Sequence, residues 1–320
     1  MTRLVLLHGR DADGLDPEGF ESRWLDALNS GLASAGSPLR LTDDDATFVY
    51  YGDTLSPPGD SARAPVSVYV ADSPGAAGAL HRLTAGEARF TLAVAREVLA
   101  GAGVPAEAST AVGPEEGTTV RLGDSVADAI ARSLVAALAA IDRYVPGLSG
   151  AVVLLLTRDV HTYLHDDEAR AAVVTGLAAV LPTDEPVVVV AHSLGSVIAY
   201  DVLRRAEARR WDVPLLLTLG SPLAIEAVRS GVEASSSLTW PAVGRWVNAR
   251  DPRDLLALHD LTPWTFPLPA GSPVVEAMSV RNAAPWHHAA AVRRGDGTWT
   301  GYLASPRVAG VVAAGLTLER

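Results

Sequence analysis

The chain has 320 residues, of which 48% are hydrophobic, enough to bury a large core within one domain. Its formal net charge of −11 disfavours a nucleic-acid partner, because the phosphates repel a negative protein. The absence of cysteine excludes disulfides, cysteine nucleophiles and thiolate metal sites, and all 26 basic residues are arginine, which excludes a lysine nucleophile.

The N-terminal half is predicted to contain two strands and a series of helices. Apolar runs predict the strands at residues 4–7 and 47–51. Apolar residues at helical spacing predict helices at residues 21–35, 87–99, 125–144, 151–164 and 168–180. Residues 151–156 alone also fit a strand, but their position before a helix-rich stretch favours a helix.

Two segments of this half carry no strong periodicity. Residues 52–82 are rich in Pro, Gly, Ser and Ala, and residues 101–123 in Gly, Pro and Glu. We interpret both as surface segments, the first of which has the length to cover a site.

The C-terminal half alternates strands with helices. Strands are predicted at residues 187–190, 213–219, 245–248 and 274–280, and helices at residues 197–205 and 306–316. Strands that alternate with helices indicate an α/β fold with a mostly parallel central sheet covered on both faces. We expect one domain over residues 1–320, with insertions at about 52–85 and 221–243, the second forming a small cap.

The N-terminal apolar run at residues 4–7 is much shorter than the core of a signal peptide. No stretch of the sequence is long and apolar enough to span a bilayer. We therefore expect a cytoplasmic protein without an integral membrane segment; nothing in the sequence indicates its oligomeric state.

The most informative segment is AHSLG, which joins the apolar run 187–190 to the predicted helix 197–205. A strand followed at once by a helix leaves room only for a tight turn, so the residues two before and two after Ser193 have to be small, as Ala191 and Gly195 are. Such a turn holds the serine hydroxyl out at a crevice, ready to attack a carbonyl. The alternative interpretation is that Ser193 is an ordinary helix N-cap.

The longer segment VVVVAHSLGSVIAYDVL resembles the nucleophile elbow of the α/β-hydrolase superfamily, with Ala191 in place of the first glycine of GxSxG. The segment LGSP at residues 219–222 resembles the corresponding part of bacterial lipases and of GPI-inositol deacylase-like hydrolases. The resemblance implies an α/β-hydrolase fold and a Ser-His-acid triad. It also implies an oxyanion hole: Leu7-His8-Gly9-Arg10 resembles the HG loop of these enzymes, so the backbone N–H groups of Arg10 and Leu194 are the expected donors.

In this superfamily the acid and the histidine follow the serine along the chain. The acid loop DPRDLL resembles that of lipase-like hydrolases, in which the position of Asp254 carries the acid; Asp251, nearer the strand end, is the alternative. Two adjacent histidines follow the last strand. We favour His288 as the base over His287, and adjacent residues cannot both point at one serine.

Other candidate residues are weaker. His161 and His165 lie four apart on a predicted helix, a spacing that suits a metal, but no third ligand is evident and we expect no metal site. His8 is expected to shape its loop, and His81, His192 and His259 to take part only in packing or hydrogen bonding. Four tryptophans near the acid and the base suggest an apolar acyl pocket or, equally well, packing at the sheet edge: Trp240, Trp246, Trp264 and Trp286.

The expected function is that of a serine hydrolase that cleaves a small-molecule carboxylic ester through Ser193, His288 and Asp254, without a cofactor. An acyltransferase or thioesterase would use the same residues with a different acceptor or ester. A binding or signalling protein on a hydrolase scaffold would have one of the three residues misplaced.

Overall fold

The computed structural model describes residues 2–9, 17–51, 55, 66–70, 79–107 and 126–317. The chain divides into two compact units, one formed by Met1–Leu55 with Asp167–Arg320 and the other by Ser56–Asp166. We call them the sheet unit and the helical unit. The expectation of one domain with two insertions stays a prediction.

Ten strands lie in the described part of the chain: β1 (Arg3–Leu7), β2 (Ala46–Val49), β3 (Val66–Val70), β4 (Ala79–Leu83), β5 (Val187–His192), β6 (Leu215–Leu219), β7 (Arg245–Arg250), β8 (Glu276–Ser279), β9 (Val292–Arg293) and β10 (Trp299–Thr300). The same residues form eight α-helices: α1 (Pro17–Ser34), α2 (Ala85–Gly101), α3 (Val126–Tyr144), α4 (Gly150–His165), α5 (Asp167–Val180), α6 (Leu194–Leu203), α7 (Glu226–Ser235) and α8 (Pro306–Leu316). The α/β fold class is therefore confirmed.

Six strands of the sheet unit form one sheet in the order β2-β1-β5-β6-β7-β8. Every neighbouring pair is parallel, and β5 lies between β1 and β6 with all of its residues buried. A strand enclosed on both faces and both edges has to be apolar throughout, which explains the run of four valines that begins it.

Helices cover both faces of this sheet. On one face, Val188 of β5 packs in a core with Leu28 of α1 and Val308 of α8. On the other face, Tyr200 of α6 stacks on Trp246 of β7, with ring centroids 5.3 Å apart. A fully buried aliphatic side chain such as Val188 or Leu28 contributes about 1.5–3 kcal/mol to stability. The helices on the two faces are therefore held firmly against the strands.

The strand order reverses between β1 and β5. From β1 the chain moves outward to β2, and after β5 it moves to the opposite side through β6, β7 and β8. At such a switch point the connections leave in opposite directions and open a crevice at the carboxyl ends of the strands, where open α/β sheets bind their ligands. The residues that follow β1 and β5 are therefore placed at the expected site.

In the helical unit, helices α2, α3 and α4 pack on one another, and β3 pairs with β4 in antiparallel fashion. Thr84 caps α2, since its side chain accepts a hydrogen bond from the Glu87 N–H and the Glu87 side chain accepts one from the Thr84 N–H. Inside the bundle, the Thr91 and Thr157 hydroxyls are 2.9 Å apart and join α2 to α4.

Two strands that were not predicted lie within residues 52–82, the first of the segments interpreted as surface segments: Val66–Val70 and part of Ala79–Leu83. The missed signal is the alternation in VSVYV, whose β-branched and aromatic residues favour a strand. Helix α7 was not predicted either, since it buries only Val228 and Val232 and is otherwise polar or small.

Other boundaries agree more closely. The C-terminal helix has the predicted bounds, Pro306–Leu316. Strand β6 begins at Leu215 instead of residue 213, because Pro214 has no N–H to donate to the ladder. Within the described residues, no helix has the length and apolar character needed to cross a membrane.

The contact between α1 and α8 yields a stability prediction. A Cβ atom added to Gly31 of α1 would lie 2.6 Å from the Leu303 carbonyl oxygen and 3.0 Å from the Ala309 Cβ. We expect Gly31→Ala to lower the free energy of unfolding in urea by about 1–3 kcal/mol through overpacking.

Gly176 of α5 provides the matched control, because nothing lies within 4 Å of the position its Cβ would take. Gly176→Ala should raise the free energy of unfolding by roughly 0.5–1 kcal/mol, the ordinary preference for alanine within a helix. Equal effects of the two substitutions would contradict the close approach of α1 to α8.

Candidate active site

The turn between β5 and α6 holds Ser193 in an unusual backbone conformation, with φ 52° and ψ −122°. Its N–H donates to the Leu219 carbonyl oxygen at 2.9 Å, and its own carbonyl oxygen accepts from the Ser196 N–H at 2.9 Å. A non-glycine residue in such a region costs on the order of 1–3 kcal/mol, which the surrounding contacts have to offset. Ser193 is therefore more than an ordinary N-cap, whose backbone would be extended.

Backbone strain in the described residues is confined to two turns. The non-glycine residues with positive φ are Ser193, Trp286 and His287, the latter two both at 57°. Trp286 and His287 immediately precede His288. Strained residues cluster where a structure has to aim a side chain, and here they flank the serine and the histidine that the sequence predicts.

The end of β1 fits tightly against the turn. A Cβ atom on Gly195 would lie 2.5 Å from the His8 carbonyl oxygen, and one on Gly9 would lie 2.7 Å from the Ser193 Cβ. Ala191 is completely buried. The need for small residues around Ser193 is thus a matter of space, because β1 and the turn approach each other more closely than side chains allow.

Ser193, His288 and Asp254 form a hydrogen-bonded chain. The Ser193 Oγ lies 2.9 Å from the His288 Nε2, and the His288 Nδ1 lies 2.9 Å and 3.0 Å from the two oxygens of Asp254. The three side chains come from the turn after β5, the loop after β7 and the loop after β8. We call this set the triad.

The triad is almost enclosed. Ser193 is 5% exposed, His288 6% and Asp254 1%. The Ser193 side chain is therefore buried, whereas the sequence led us to expect a hydroxyl presented at a crevice. Enclosure also strengthens each polar contact, since little water competes for it.

The two candidate acids have different roles. Asp254 faces His288, whereas Asp251 accepts hydrogen bonds from the Arg253 side chain at 2.6 Å and from the Asn282 N–H at 2.7 Å. Burial alone would raise the pKa of Asp251, but these hydrogen bonds outweigh it and hold the pKa below its ordinary value. Asp251 thus ties the acid loop to the loop that follows β8.

The two adjacent histidines also diverge. The His288 ring reaches Ser193, whereas the His287 Nδ1 lies 2.8 Å from the Asn282 carbonyl oxygen. Asn282 in turn donates from its side chain to the Ala289 carbonyl oxygen at 2.9 Å and accepts from the Ala284 N–H at 2.9 Å. His287 and Asn282 therefore shape the loop, and only His288 enters the triad.

Tyr302 contacts the triad although it was not predicted as a site residue. Its hydroxyl donates to the Asp254 Oδ2 at 2.6 Å and accepts from the Asp251 N–H at 3.0 Å. Burial, and then the nearby charge of Asp254, raises the pKa of Tyr302 well above its ordinary value. Nothing in its local segment, GYL, marks this residue as part of the site.

Gly220 lies against the same group. It has φ 54°, and its Cβ would lie 2.9 Å from the Tyr302 ring, 3.1 Å from Asp254 and 3.3 Å from His288. The glycine of the LGSP segment therefore leaves the space into which the acid and the histidine fit.

Two further histidines support the loops. The His192 Nε2 lies 2.7 Å from the His288 carbonyl oxygen, and His192 is buried. Burial, and then the proximity of His288, lowers the pKa of His192 well below its ordinary value, so it is a neutral donor to that carbonyl. His8 stacks on Tyr51, whose N–H donates to the His8 Nε2 at 3.2 Å. His192 thus takes part in hydrogen bonding as expected, and His8, which was expected to shape its loop, packs on Tyr51.

One of the two predicted oxyanion donors lies at the start of α6. Leu194 is the first residue of α6, so its N–H has no acceptor within the helix and lies beside Ser193 at the positive end of the helix dipole. Arg10, the other predicted donor, lies outside the described residues.

Elsewhere, the described residues contain no group of three or more acidic or histidine side chains arranged to hold a metal ion. His161 and His165 stack with ring centroids 4.2 Å apart, and burial, then His165, lowers the pKa of His161 to about 4. Among the tryptophans, Trp246 is buried and donates to the Thr218 hydroxyl at 3.0 Å, whereas Trp264 is 90% exposed. Trp246 therefore serves packing between sheet and helix.

Comparison of the chain with models of protein families, with curated proteins and with solved structures finds no match. The α/β architecture therefore rests on the structure alone. The hydrolase resemblance rests on the motifs and on the geometry of the residues that carry them.

The strain at Ser193 can be measured without reference to activity. Glycine tolerates φ 52°, so Ser193→Gly should unfold in urea with a free energy about 1 kcal/mol higher than Ser193→Ala, strain relief exceeding the entropic cost of glycine. At Ser196, inside α6, the order should reverse, because alanine is the better helix former. If alanine is also the more stable residue at position 193, the turn is not strained.

Proposed function

We propose that this protein is a serine hydrolase that cleaves a carboxylic ester. The observation that carries the proposal is the hydrogen-bonded line from the Ser193 Oγ through the His288 imidazole to Asp254, held at a strained turn after a central strand. A histidine that is hydrogen-bonded to a carboxylate on one side and to a serine on the other makes the serine hydroxyl nucleophilic at neutral pH.

The first step is the transfer of a proton. The carboxylate of Asp254 accepts a hydrogen bond from the His288 Nδ1–H, which leaves the lone pair of Nε2 facing the serine hydroxyl. His288 takes the hydroxyl proton as the Ser193 Oγ forms a bond to the ester carbonyl carbon. Asp254 stays ionised and stabilises the imidazolium that results.

The carbonyl oxygen becomes negative as the tetrahedral intermediate forms. We propose that the N–H of Leu194, which follows Ser193 at the N-terminus of α6, donates a hydrogen bond to this oxygen, and that the N–H of Arg10 is the second donor. When the intermediate collapses, the C–O bond to the alcohol breaks, and His288 returns its proton to the leaving alkoxide.

A water molecule then completes the cycle. His288 removes a proton from water, the hydroxide attacks the acyl-serine, and the acid leaves while Ser193 regains its proton. One ester and one water give one acid and one alcohol. The near enclosure of the Ser193 side chain favours a small-molecule ester as the substrate.

Substitution of Ser193 tests the proposal directly. With p-nitrophenyl acetate as substrate, we expect Ser193→Ala and His288→Gln each to lower kcat by roughly 10⁴-fold or more, because the members of a triad act as a unit. Ser196→Ala is the control, since it removes a buried hydroxyl that bonds to the Ala191 carbonyl oxygen and does not face His288. Undiminished hydrolysis by a folded Ser193→Ala protein refutes the proposal.

Substitution of Tyr302 tests the role of the hydroxyl that holds the acid. In Tyr302→Phe the Asp254 Oδ2 loses its hydrogen bond of 2.6 Å, so the carboxylate attracts a protonated imidazole more strongly. We expect the acid limb of the kcat/KM profile to move to higher pH by roughly half a unit, which corresponds to about 0.7 kcal/mol.

Tyr200→Phe is the matched control for this experiment. The Tyr200 hydroxyl is also engaged twice, with the carbonyl oxygen and the N–H of Thr239, but it lies away from the triad. Its loss should change stability and leave the pH profile in place. A profile that moves equally in both variants, or in neither, rules out a positioning role for Tyr302.

A further inference from the structure

A polar cleft lies at the carboxyl end of α6, the helix that begins beside Ser193. It has a volume of about 500 Å³, and its polar wall includes Arg170, Asp201, Arg204, Arg205, Ser235 and Ser236. We call it the arginine cleft. It is separated from Ser193 by the ten residues of α6, a length of about 15 Å.

Three guanidinium groups in this cleft share a single carboxylate. Arg170 contacts the Asp201 Oδ1 at 2.7 Å, Arg204 the same oxygen at 3.1 Å, and Arg205 the Oδ2 at 2.8 Å. Burial alone would raise the pKa of Asp201, but the hydrogen bonds from Arg170 and Arg205 outweigh it and lower the pKa to about 2. Asp201 is thus charged at neutral pH, and the four groups together carry two positive charges.

The three arginines differ in what they do. Arg204 is buried, and it donates to the carbonyl oxygens of Val232, Ser236 and Ser237, so it anchors the end of α7. Arg170 lies in α5 and Arg205 in the turn after α6, and both reach the Asp201 Oδ2, at 3.0 Å and 2.8 Å. Their side chains are 12% and 38% exposed. These two guanidiniums therefore face each other across one oxygen at the wall of an open cleft.

Such an arrangement suits an anion with several oxygens. Guanidinium groups at the wall of a cleft can form charge-assisted hydrogen bonds with an oxyanion that enters it. Guanidinium groups match phosphate in geometry, and a phosphate at pH 7 carries a charge of about −1.5 to −2, which balances the excess of the four groups. The Ser235 and Ser236 hydroxyl oxygens on the same wall accept hydrogen bonds from Arg170 and Arg204 and so help to hold these two guanidiniums in place.

We propose that the arginine cleft binds a phosphate group, either as inorganic phosphate or as a phosphate monoester. The rim residue Asp167 is exposed, so solvent and salt screen its repulsion of an incoming anion. A protein with a formal net charge of −11 repels anions in general, so affinity for one has to come from a local concentration of arginines of this kind. The site does not depend on the proposed hydrolytic activity.

The test is to measure the midpoint of thermal unfolding of the whole protein at increasing concentrations of sodium phosphate. Sodium chloride at matched ionic strength is the reference. We expect a saturable rise of the midpoint in phosphate. Arg205→Gln should weaken the apparent affinity about tenfold, the usual order for the loss of one charge-assisted contact, while Arg209→Gln should change it less than about twofold. Arg209 is the matched control because it is exposed, follows closely in sequence and does not line the cleft.

A third variant separates anion binding from a purely structural cluster. Asp201→Asn removes the competing carboxylate, so phosphate should bind more tightly and raise the midpoint further than in the unaltered protein. If Asp201→Asn does not fold, the comparison of Arg205 with Arg209 decides. A second arm with glycerol phosphate distinguishes the two sources, since a monoester that binds more tightly than inorganic phosphate indicates an organic ligand.

The proposal is overturned if phosphate gives no saturable response beyond that of chloride. It is also overturned if Arg205→Gln and Arg209→Gln respond to phosphate as the unaltered protein does, because the effect is then one of salt on the whole protein.

Discussion

The close approach of β1 to the turn after β5 is the constraint on which the rest of the site depends. A Cβ atom on Gly9 would collide with the Ser193 side chain and one on Gly195 with the Leu7 and His8 carbonyl oxygens, and the Ser193 backbone between them has a left-handed conformation. That conformation costs on the order of 1–3 kcal/mol, a large fraction of the 5–15 kcal/mol by which a domain is stable. The buried parallel strands β1 and β6 on either side of β5 offset the cost, so the strain persists at the end of a fully buried strand.

The partners of Ser193 come from loops, and loops need another means of being fixed. Here a set of buried polar groups supplies it: Asp251 joins the two loops, Tyr302 holds Asp254 and His192 holds the backbone of His288. Each member has at least one hydrogen bond to another loop, so that removal of one leaves a buried group unsatisfied at a cost of about 1–3 kcal/mol. These hydrogen bonds therefore fix the positions of the loops that carry Asp254 and His288.

Much of the architecture could be predicted because it depends on local pattern. The run of valines in β5, the helical spacing of α8 and the small residues around Ser193 are properties of short segments, and the structure agrees with each. The sequence favoured His288 over His287 but left both open, since which ring reaches Ser193 depends on positive φ angles at Trp286 and His287 and on Asn282. Tyr302 was missed for the same reason, because its contacts with Asp254 and Asp251 join residues 48 and 51 positions apart. The near closure of the site is likewise a tertiary property that no motif reports.

The central claim is that His288 and Asp254 make the hydroxyl of Ser193 a nucleophile. The most direct measurement is the mass of the intact protein after treatment with a fluorophosphonate, followed by identification of the modified residue. The account predicts one adduct per chain, on Ser193, formed rapidly by the unaltered protein and far more slowly by His288→Gln. A folded protein that takes up no adduct, or that is modified on another serine at the same rate in both forms, would contradict it.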